Sequence, residues 1–244
     1  MKHENIEIRT IRLVGLILLA ISLGGIIEIL PLFSIPTTVE PILGVRPYTP
    51  LELRGRDIYQ REGCQQCHTQ MIRTLETDTQ RYGHYSLAAE SRYDYPAQWG
   101  SRRLGPDLAR LGGKYTADWH ARHLTNPRAV VPHSIMPAYP WLRETPLQYA
   151  DVSQRMAALH QVGVPYSDSP EQYRANVDRF GIEVANQLDI LHADENLVIQ
   201  ADKGNYDSIP NQLTELDALI AYLQILGTFV DFTRYPTGYF AAYR

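Results

Sequence analysis

The sequence predicts an all-α protein in which a single N-terminal membrane-spanning helix precedes a helical domain. The chain of 244 residues begins with an apolar run of membrane-spanning length. Two later segments carry clear helix start signals, and no segment alternates polar and apolar residues well enough to predict a strand. The hydrophobic content of 44% and the formal net charge of −4 fit an ordinary globular domain without a basic surface for nucleic acid.

The apolar run covers residues 13–35, and Glu28 is its only charged residue. At about 1.5 Å per residue, the run is long enough to cross a bilayer of roughly 30 Å. Its length and the lack of a small-x-small cleavage site favour a retained anchor over a cleaved signal peptide. Basic residues precede the run, so residues 1–12 are expected to lie in the cytoplasm.

Glu28 and the neighbouring pair Gly24-Gly25 predict that the anchor packs against another membrane helix. A carboxylate in a membrane helix usually faces protein or water, and small residues let two helices approach closely. The alternative is that Glu28 lies at the outer interface, because Pro31 and Pro36 are expected to end the helix soon after it.

Residues 36–49 contain several prolines and predict a semi-rigid extended linker, so the domain is expected to cover residues 50–244. Its first helix has a clear start, because Thr49 is a suitable N-cap, a proline follows it and Glu52 can complete a capping box. This helix is expected to lead directly into the segment that begins at Cys64.

A second well-marked helix is expected to start at Thr214 and to stop at Gly227. Its leucines and isoleucine form one stripe at helical spacing, which indicates core packing across the first helix near Gly55 and Tyr59. Between these two helices, residues 143–210 form an insertion in which no chemistry is evident. Two helical stretches are expected within the insertion, at residues 149–159 and 170–191.

The only two cysteines of the chain form the run Cys64-Gln65-Gln66-Cys67-His68, which is the attachment pattern of a c-type haem. The two thiols can bond covalently to the porphyrin, and His68 is then an axial ligand of the iron. A zinc site would need further ligands at matching spacing, and a redox dithiol would need no histidine there. The domain is therefore expected to be a class I-like cytochrome c with one covalent haem c and an additional helical insertion.

Covalent haem attachment in bacteria occurs outside the cytoplasmic membrane. The haem domain is therefore expected in the periplasm, held to the inner membrane by a single-pass anchor.

Met136 is expected to be the second axial ligand, because it lies in a proline-flanked loop with enough chain after His68 to wrap around the haem. Of the other methionines, Met71 is too close to His68 to reach the opposite face of the porphyrin. Met156 lies in a helical context in which a core position is the simpler interpretation.

Three histidines remain alternatives: His133 on the same loop, and His120 and His123 on a short predicted helix. A thioether ligand favours Fe(II) and raises the reduction potential, whereas two histidine ligands lower it. Either choice gives a six-coordinate iron without an open position for oxygen. The domain is thus expected to transfer electrons and to do no bond chemistry.

Two further residues are candidates for contacts around the haem. The carbonyl of Pro106 could accept a hydrogen bond from the ring N–H of His68, which would orient the imidazole. Arg73 is close enough in sequence to reach a haem propionate. The alternatives are an ordinary turn at Pro106 and a solvated charge at Arg73.

Several segments, in order along the chain, resemble the mono-haem subunit II of cbb(3)-type cytochrome c oxidases. They are residues 55–59, 61–73, 81–86, 99–101, 105–110, 136–142 and 215–227. The resemblance implies that Cys64 and Cys67 bind the haem covalently and that His68 and Met136 are its axial ligands.

The resemblance also implies partners. A di-haem cytochrome c subunit or a soluble cytochrome c would supply electrons, and a large haem–copper catalytic subunit would receive them and reduce oxygen. The chain would thus be an electron-transfer subunit of cytochrome c oxidase. A calcium ion near the subunit interface would have Ser101 as a contact, and the role of His84 stays open between interface and packing. The insertion is expected to provide docking surface.

Two other functions are weighed against this one. A free membrane-tethered cytochrome c electron carrier would need no membrane partner, although Glu28 and the glycine pair favour one. A haem-containing catalyst or ligand sensor would need a five-coordinate iron, which the expected second ligand excludes.

Overall fold

The computed structural model describes residues 7–34, 39–40, 42–209, 212–236 and 238–243. The described residues form helices and turns without any β-strand, which confirms the all-α prediction. Parts of the predicted segments lie outside the described residues, namely residues 1–6 of the N-terminus, Ile35 at the end of the anchor, residues 36–38 and Pro41 of the linker, Pro210 of the insertion, and Asn211, Thr237 and Arg244 of the domain.

The chain divides into two compact units, one made of Met1–Pro41 and Pro236–Arg244 and the other of Ile42–Tyr235. The first unit contains the long helix α1 (Thr10–Ser34). The second contains the helices α2 (Pro50–Arg61), α3 (Glu76–Tyr82), α4 (Ala117–Thr125), α5 (Trp141–Glu144), α6 (Val152–Gln161), α7 (Pro170–Phe180), α8 (Ile182–Gln187), α9 (Ala193–Gly204) and α10 (Glu215–Ile225).

Helix α1 is long and apolar enough over Thr10–Pro31 to cross a membrane, as its sequence predicts. The expectation that Pro31 helps to end this helix is wrong, because α1 continues through Pro31 to Ser34. A proline removes the one hydrogen bond that its own nitrogen would donate, so a helix that is otherwise strongly apolar can continue past it.

Helix α2 begins with the predicted capping box. The backbone N–H of Glu52 donates to Oγ1 of Thr49 at 3.4 Å, and the backbone N–H of Thr49 donates to Oε2 of Glu52 at 2.8 Å. The helix ends at Arg61, and Gly63 then takes a left-handed backbone conformation with φ of 73°. The chain thereby turns directly into a short 3-10 helix over Cys64–Gln66.

Helix α10 crosses α2 at Gly55, where a Cβ atom would overlap the carbonyl oxygen of Ala218. Beside this crossing, the rings of Tyr59 and Tyr222 lie 5.5 Å apart between centroids. The predicted packing of the two helices is confirmed, as is the end of α10 before Gly227, whose φ is 76°. All five members of the predicted stripe are buried: Leu216, Leu219, Ile220, Leu223 and Leu226.

The insertion is helical, as predicted, but its helices are shorter than expected. The stretch at residues 170–191 breaks at Gly181, whose φ of 86° is unfavourable within a right-handed helix. Helix α9 was not expected. It packs on α2 through the buried side chains of Leu197 and Ala201, and Oγ1 of Thr49 donates to Oε1 of Gln200 at 2.6 Å.

Candidate haem site

The two cysteines and His68 lie on one tight turn. The backbone N–H groups of Cys67 and His68 both donate to the carbonyl oxygen of Cys64, at 3.1 and 3.0 Å. Both thiols are free, and all three side chains are half-buried. This turn places two thiols and one imidazole together at the end of α2.

Burial, together with the charge of Glu62, raises the pKa of the Cys64 thiol to about 12. Reactive cysteines instead have a lowered pKa and therefore a populated thiolate at neutral pH. The environment of Cys64 thus does not fit a redox dithiol and is compatible with a thiol that is consumed in a permanent covalent bond.

The imidazole of His68 is oriented by Pro106, because Nδ1 of His68 lies 2.8 Å from the carbonyl oxygen of Pro106. A carbonyl can only accept, so Nδ1 carries the proton and Nε2 is left to bind a metal. Burial lowers the pKa of His68 and outweighs Pro106 and Asp107, which raise it. The imidazole is therefore neutral at pH 7, which is the form that binds a metal.

The loop around Pro106 is held close to residues 64–69 by backbone hydrogen bonds. The backbone N–H of Gly105 donates to the carbonyl of Cys67 at 2.9 Å, and that of Leu108 donates to the carbonyl of Thr69 at 2.8 Å. A Cβ atom at Gly105 would overlap Cε1 of His68 and would lie 2.9 Å from Nε2. Only glycine can therefore occupy position 105 without displacing the imidazole.

A second loop packs on the backbone of the same histidine. The backbone N–H of Gln70 donates to the carbonyl of Trp99 at 2.8 Å. A Cβ atom at Gly100, whose φ is 68°, would lie 2.9 Å from the carbonyl oxygen of His68. Ser101, the candidate calcium contact, is the exposed residue that follows Gly100.

The carboxylate of Asp107 lies beside the His68–Pro106 pair and accepts several hydrogen bonds. Its Oδ2 accepts from Oγ1 of Thr69 at 2.5 Å, from the backbone N–H of Met71 at 3.1 Å and from Nη2 of Arg103 at 3.1 Å. Its Oδ1 accepts from the backbone N–H of Ala109 at 2.8 Å. Sequence reasoning missed Arg103 and Asp107, for which the opposite charges four positions apart were the only available signal.

Arg73 has a carboxylate partner in the structure. Its Nε lies 3.3 Å from Oδ2 of Asp78, and its side chain is exposed. The predicted contact of Arg73 with a propionate stays a prediction.

Met136 lies on a loop that passes beside the motif. It is half-buried and packs against the hydrophobic core, whereas Met156 is fully buried within α6. Burial and, next, the thiols of Cys64 and Cys67 raise the pKa of Tyr139, which follows Met136 closely in the loop. Further along, Nε1 of Trp141 donates to Oε2 of Glu62 at 3.3 Å, so the end of this loop lies next to the cysteines.

The alternative histidine ligands differ in their surroundings. His120 is buried, and burial followed by the charge of His123 lowers its pKa to about 4. His123 stacks on Trp119 at 4.6 Å, and burial followed by the charge of His68 lowers its pKa. Within the described part of the chain, Nε2 of His120 and Nδ1 of His123 have no hydrogen-bond partner. His133 is exposed.

His84 packs within the domain, because its ring stacks on that of Phe232 with centroids 4.1 Å apart, and its Nδ1 lies 2.7 Å from the carbonyl oxygen of Tyr85.

The donor set of the site fits a covalently held haem. It offers two free thiols for attachment, an imidazole whose Nδ1 is already engaged and a thioether on an adjacent loop. Over the residues that the structure describes, no group of three or more His, Cys, Asp or Glu side chains could hold a metal ion.

Comparison with known proteins identifies a family. A family model described as "Cytochrome C oxidase, mono-heme subunit/FixO" matches residues 3–230 of the chain. None of the curated proteins matches it.

Proposed function

This chain belongs to the cytochrome c oxidase mono-haem subunit (FixO) family, and from that membership we propose that it relays electrons within a cbb(3)-type terminal oxidase. The family implies one haem and membership of an oxidase complex with other subunits. The apolar helix α1 and the oxidase family together indicate a membrane-anchored protein.

In this proposal Cys64 and Cys67 hold the haem covalently, and His68 and Met136 are its axial ligands. The observation that carries it is the 2.8 Å contact between Nδ1 of His68 and the carbonyl of Pro106, on the same turn as the free thiols. When bound, the haem supplies a reversible one-electron change at iron. The chain's own residues fix the imidazole, and with His68 and Met136 both bound to it the iron would supply electron transfer and no oxygen chemistry.

The proposal includes where the domain lies and what it contacts. The anchor is residues 13–35, the linker is residues 36–49, and the haem domain of residues 50–244, with its insertion at residues 143–210, lies in the periplasm. A di-haem cytochrome c subunit or a soluble cytochrome c donates the electron, and a large haem–copper subunit accepts it and reduces oxygen. A calcium ion near that interface has Ser101 as a contact.

The test is purification of the full-length chain from bacterial membranes in mild detergent, with an affinity tag on this chain. We expect b-type haem and copper to co-purify, and the c-type haem to be reoxidised rapidly when oxygen is added to the reduced preparation. A lone monomer without b-type haem or copper would contradict the proposal and would favour a free membrane-tethered carrier. A chain that carries the double substitution Cys64→Ser/Cys67→Ser is the control, and its own polypeptide, separated from the other subunits under denaturing conditions, should carry no c-type haem.

A further inference from the structure

We propose that Asp107 and Arg103 form a pair of opposite charges that sets the reduction potential of the haem through His68. The inference rests on the proposed function, since it requires that His68 binds the iron. It assigns the two residues a positioning role, because neither contacts the imidazole directly and both act through its neighbours.

The first argument is that the Asp107 carboxylate fixes both partners of the bond between His68 and Pro106. Asp107 directly follows Pro106, and it accepts a hydrogen bond from Oγ1 of Thr69, which directly follows His68, at 2.5 Å. It also accepts from the backbone N–H of Met71 at 3.1 Å. The Asp107 carboxylate follows Pro106 in the chain and hydrogen-bonds to the residue after His68. It therefore holds the Pro106 carbonyl and the imidazole in a fixed relative position.

The second argument is that Arg103 completes this network and compensates its charge. Its Nη2 donates to Oδ2 of Asp107 at 3.1 Å and to the carbonyl oxygen of Met71 at 2.9 Å. Its Nε donates to Oγ1 of Thr69 at 2.8 Å, and its Nη1 donates to Oδ2 of Asp78 at 2.8 Å. Its partners lie on residues 69–71, which follow His68 closely, on the loop that carries Asp107 and on α3.

The third argument is electrostatic. The side chain of Asp107 is 0% exposed and that of Arg103 is 14% exposed, so water screens the two charges weakly. The oxidised haem carries one more positive charge than the reduced haem, so a negative charge beside His68 favours the oxidised state and a positive charge favours the reduced state. In the native pair these opposing effects largely cancel.

The test is a redox titration of the full-length chain in detergent, which compares wild type with Asp107→Asn, Arg103→Gln and Arg103→Lys. Asp107→Asn removes the negative charge beside His68, while Arg103 keeps its positive charge and its pair with Asp78. The ratio of reduced to oxidised haem at a fixed potential should therefore rise. Arg103→Gln leaves Asp107 uncompensated, so the same ratio should fall. Each change is expected to be roughly tenfold, which is about 59 mV for a one-electron couple. Arg103→Lys keeps the charge and should restore most of the wild-type ratio.

The control is Arg155→Gln on α6, which removes an exposed positive charge that pairs with Asp151 and has no contact with Asp107. It should shift the ratio far less, because surface charges are screened. Opposite shifts in the two main variants are the signature of a charge pair, since a purely structural defect would move both variants in one direction.

Shifts of the same sign, or wild-type ratios in variants that retain haem, would overturn the inference. Loss of haem from all three variants would also overturn it, because the network would then be needed for haem assembly and would not set the reduction potential. If the wild-type chain itself carries no covalent haem, both the proposed function and this inference are refuted. Haem that is present but insensitive to these substitutions refutes the inference alone.

Discussion

At the scale of single residues, the imidazole of His68 is constrained on two sides. The carbonyl of Pro106 fixes its Nδ1, and Gly105 packs directly against the ring. The backbone of the same residue is covered by Gly100. In the proposed function, an imidazole held in this way would keep its orientation when the iron changes its charge, which would favour fast electron transfer.

Substitution Gly105→Ala should disturb haem ligation, because the added methyl group would overlap the His68 ring. Overpacking of this kind costs about 1–3 kcal/mol of stability. The absorption spectrum and the thermal unfolding of the purified chain are the measurements. Gly113→Ala is the matched control: its φ of 75° strains any side chain, but its Cβ atom would meet no other atom. Both variants should lose stability and only Gly105→Ala should change the spectrum; an unchanged Gly105→Ala spectrum would contradict the packing argument.

Substitution Met136→Leu should abolish the weak methionine–iron charge-transfer band of the oxidised protein, because leucine has no sulfur to bind iron. Met156→Leu is the control, since Met156 is a fully buried core residue of α6 and a swap of similar volume is tolerated there. The measurement is the near-infrared edge of the oxidised spectrum. Persistence of the band in Met136→Leu would refute Met136 as the ligand and would leave His120, His123 and His133 as the candidates.

The spacing of Cys64, Cys67 and His68 predicts haem attachment from the sequence alone, because it matches the attachment pattern of a c-type haem. The structure brings the three residues together on one turn, and the attachment itself stays a prediction. The pair Arg103 and Asp107 could not be predicted. Its hydrogen bonds run to residues 69–71, which are remote in the sequence, and both segments are loops without a hydrophobic period that would reveal a shared face.

At the scale of elements, α2 and α10 were predictable because their signals are local. Each helix has a capping box, and the stripe of α10 finds its partner where Gly55 allows close approach. The insertion was less predictable, since the break at Gly181 depends on a positive φ that a glycine permits but does not require. Helix α9 is polar over much of its length, so its burial against α2 is set by tertiary packing.

Helix α4 carries a pH prediction through His120. Burial lowers the pKa of His120 to about 4, whereas the unfolded chain binds the proton near 6.5. The unfolded state therefore takes up a proton first as the pH falls, and up to about 3 kcal/mol of stability should be lost between about pH 6.5 and 4. His120→Phe should remove this loss, while His133→Phe, at an exposed position, should retain it. Denaturant unfolding at several pH values is the measurement, and an unaltered pH dependence in His120→Phe would contradict the assignment.

At the scale of the whole molecule, the sequence predicts the membrane-spanning helix and the protein family from two independent features. The apolar stretch predicts helix α1 by length and composition alone. The ordered motifs from residue 55 to residue 227 identify the oxidase subunit family, and the family model covers residues 3–230. Neither signal depends on a single residue, which is why the fold class and the family could be predicted before the arrangement of the site.

The central claim is that one haem is bonded covalently to Cys64 and Cys67. The most direct test is the intact mass of the full-length chain, purified from bacterial membranes and then fully denatured. The account predicts the mass of the polypeptide plus one haem, and the polypeptide mass alone in the double variant Cys64→Ser/Cys67→Ser. A wild-type chain that loses all haem on denaturation would contradict the account.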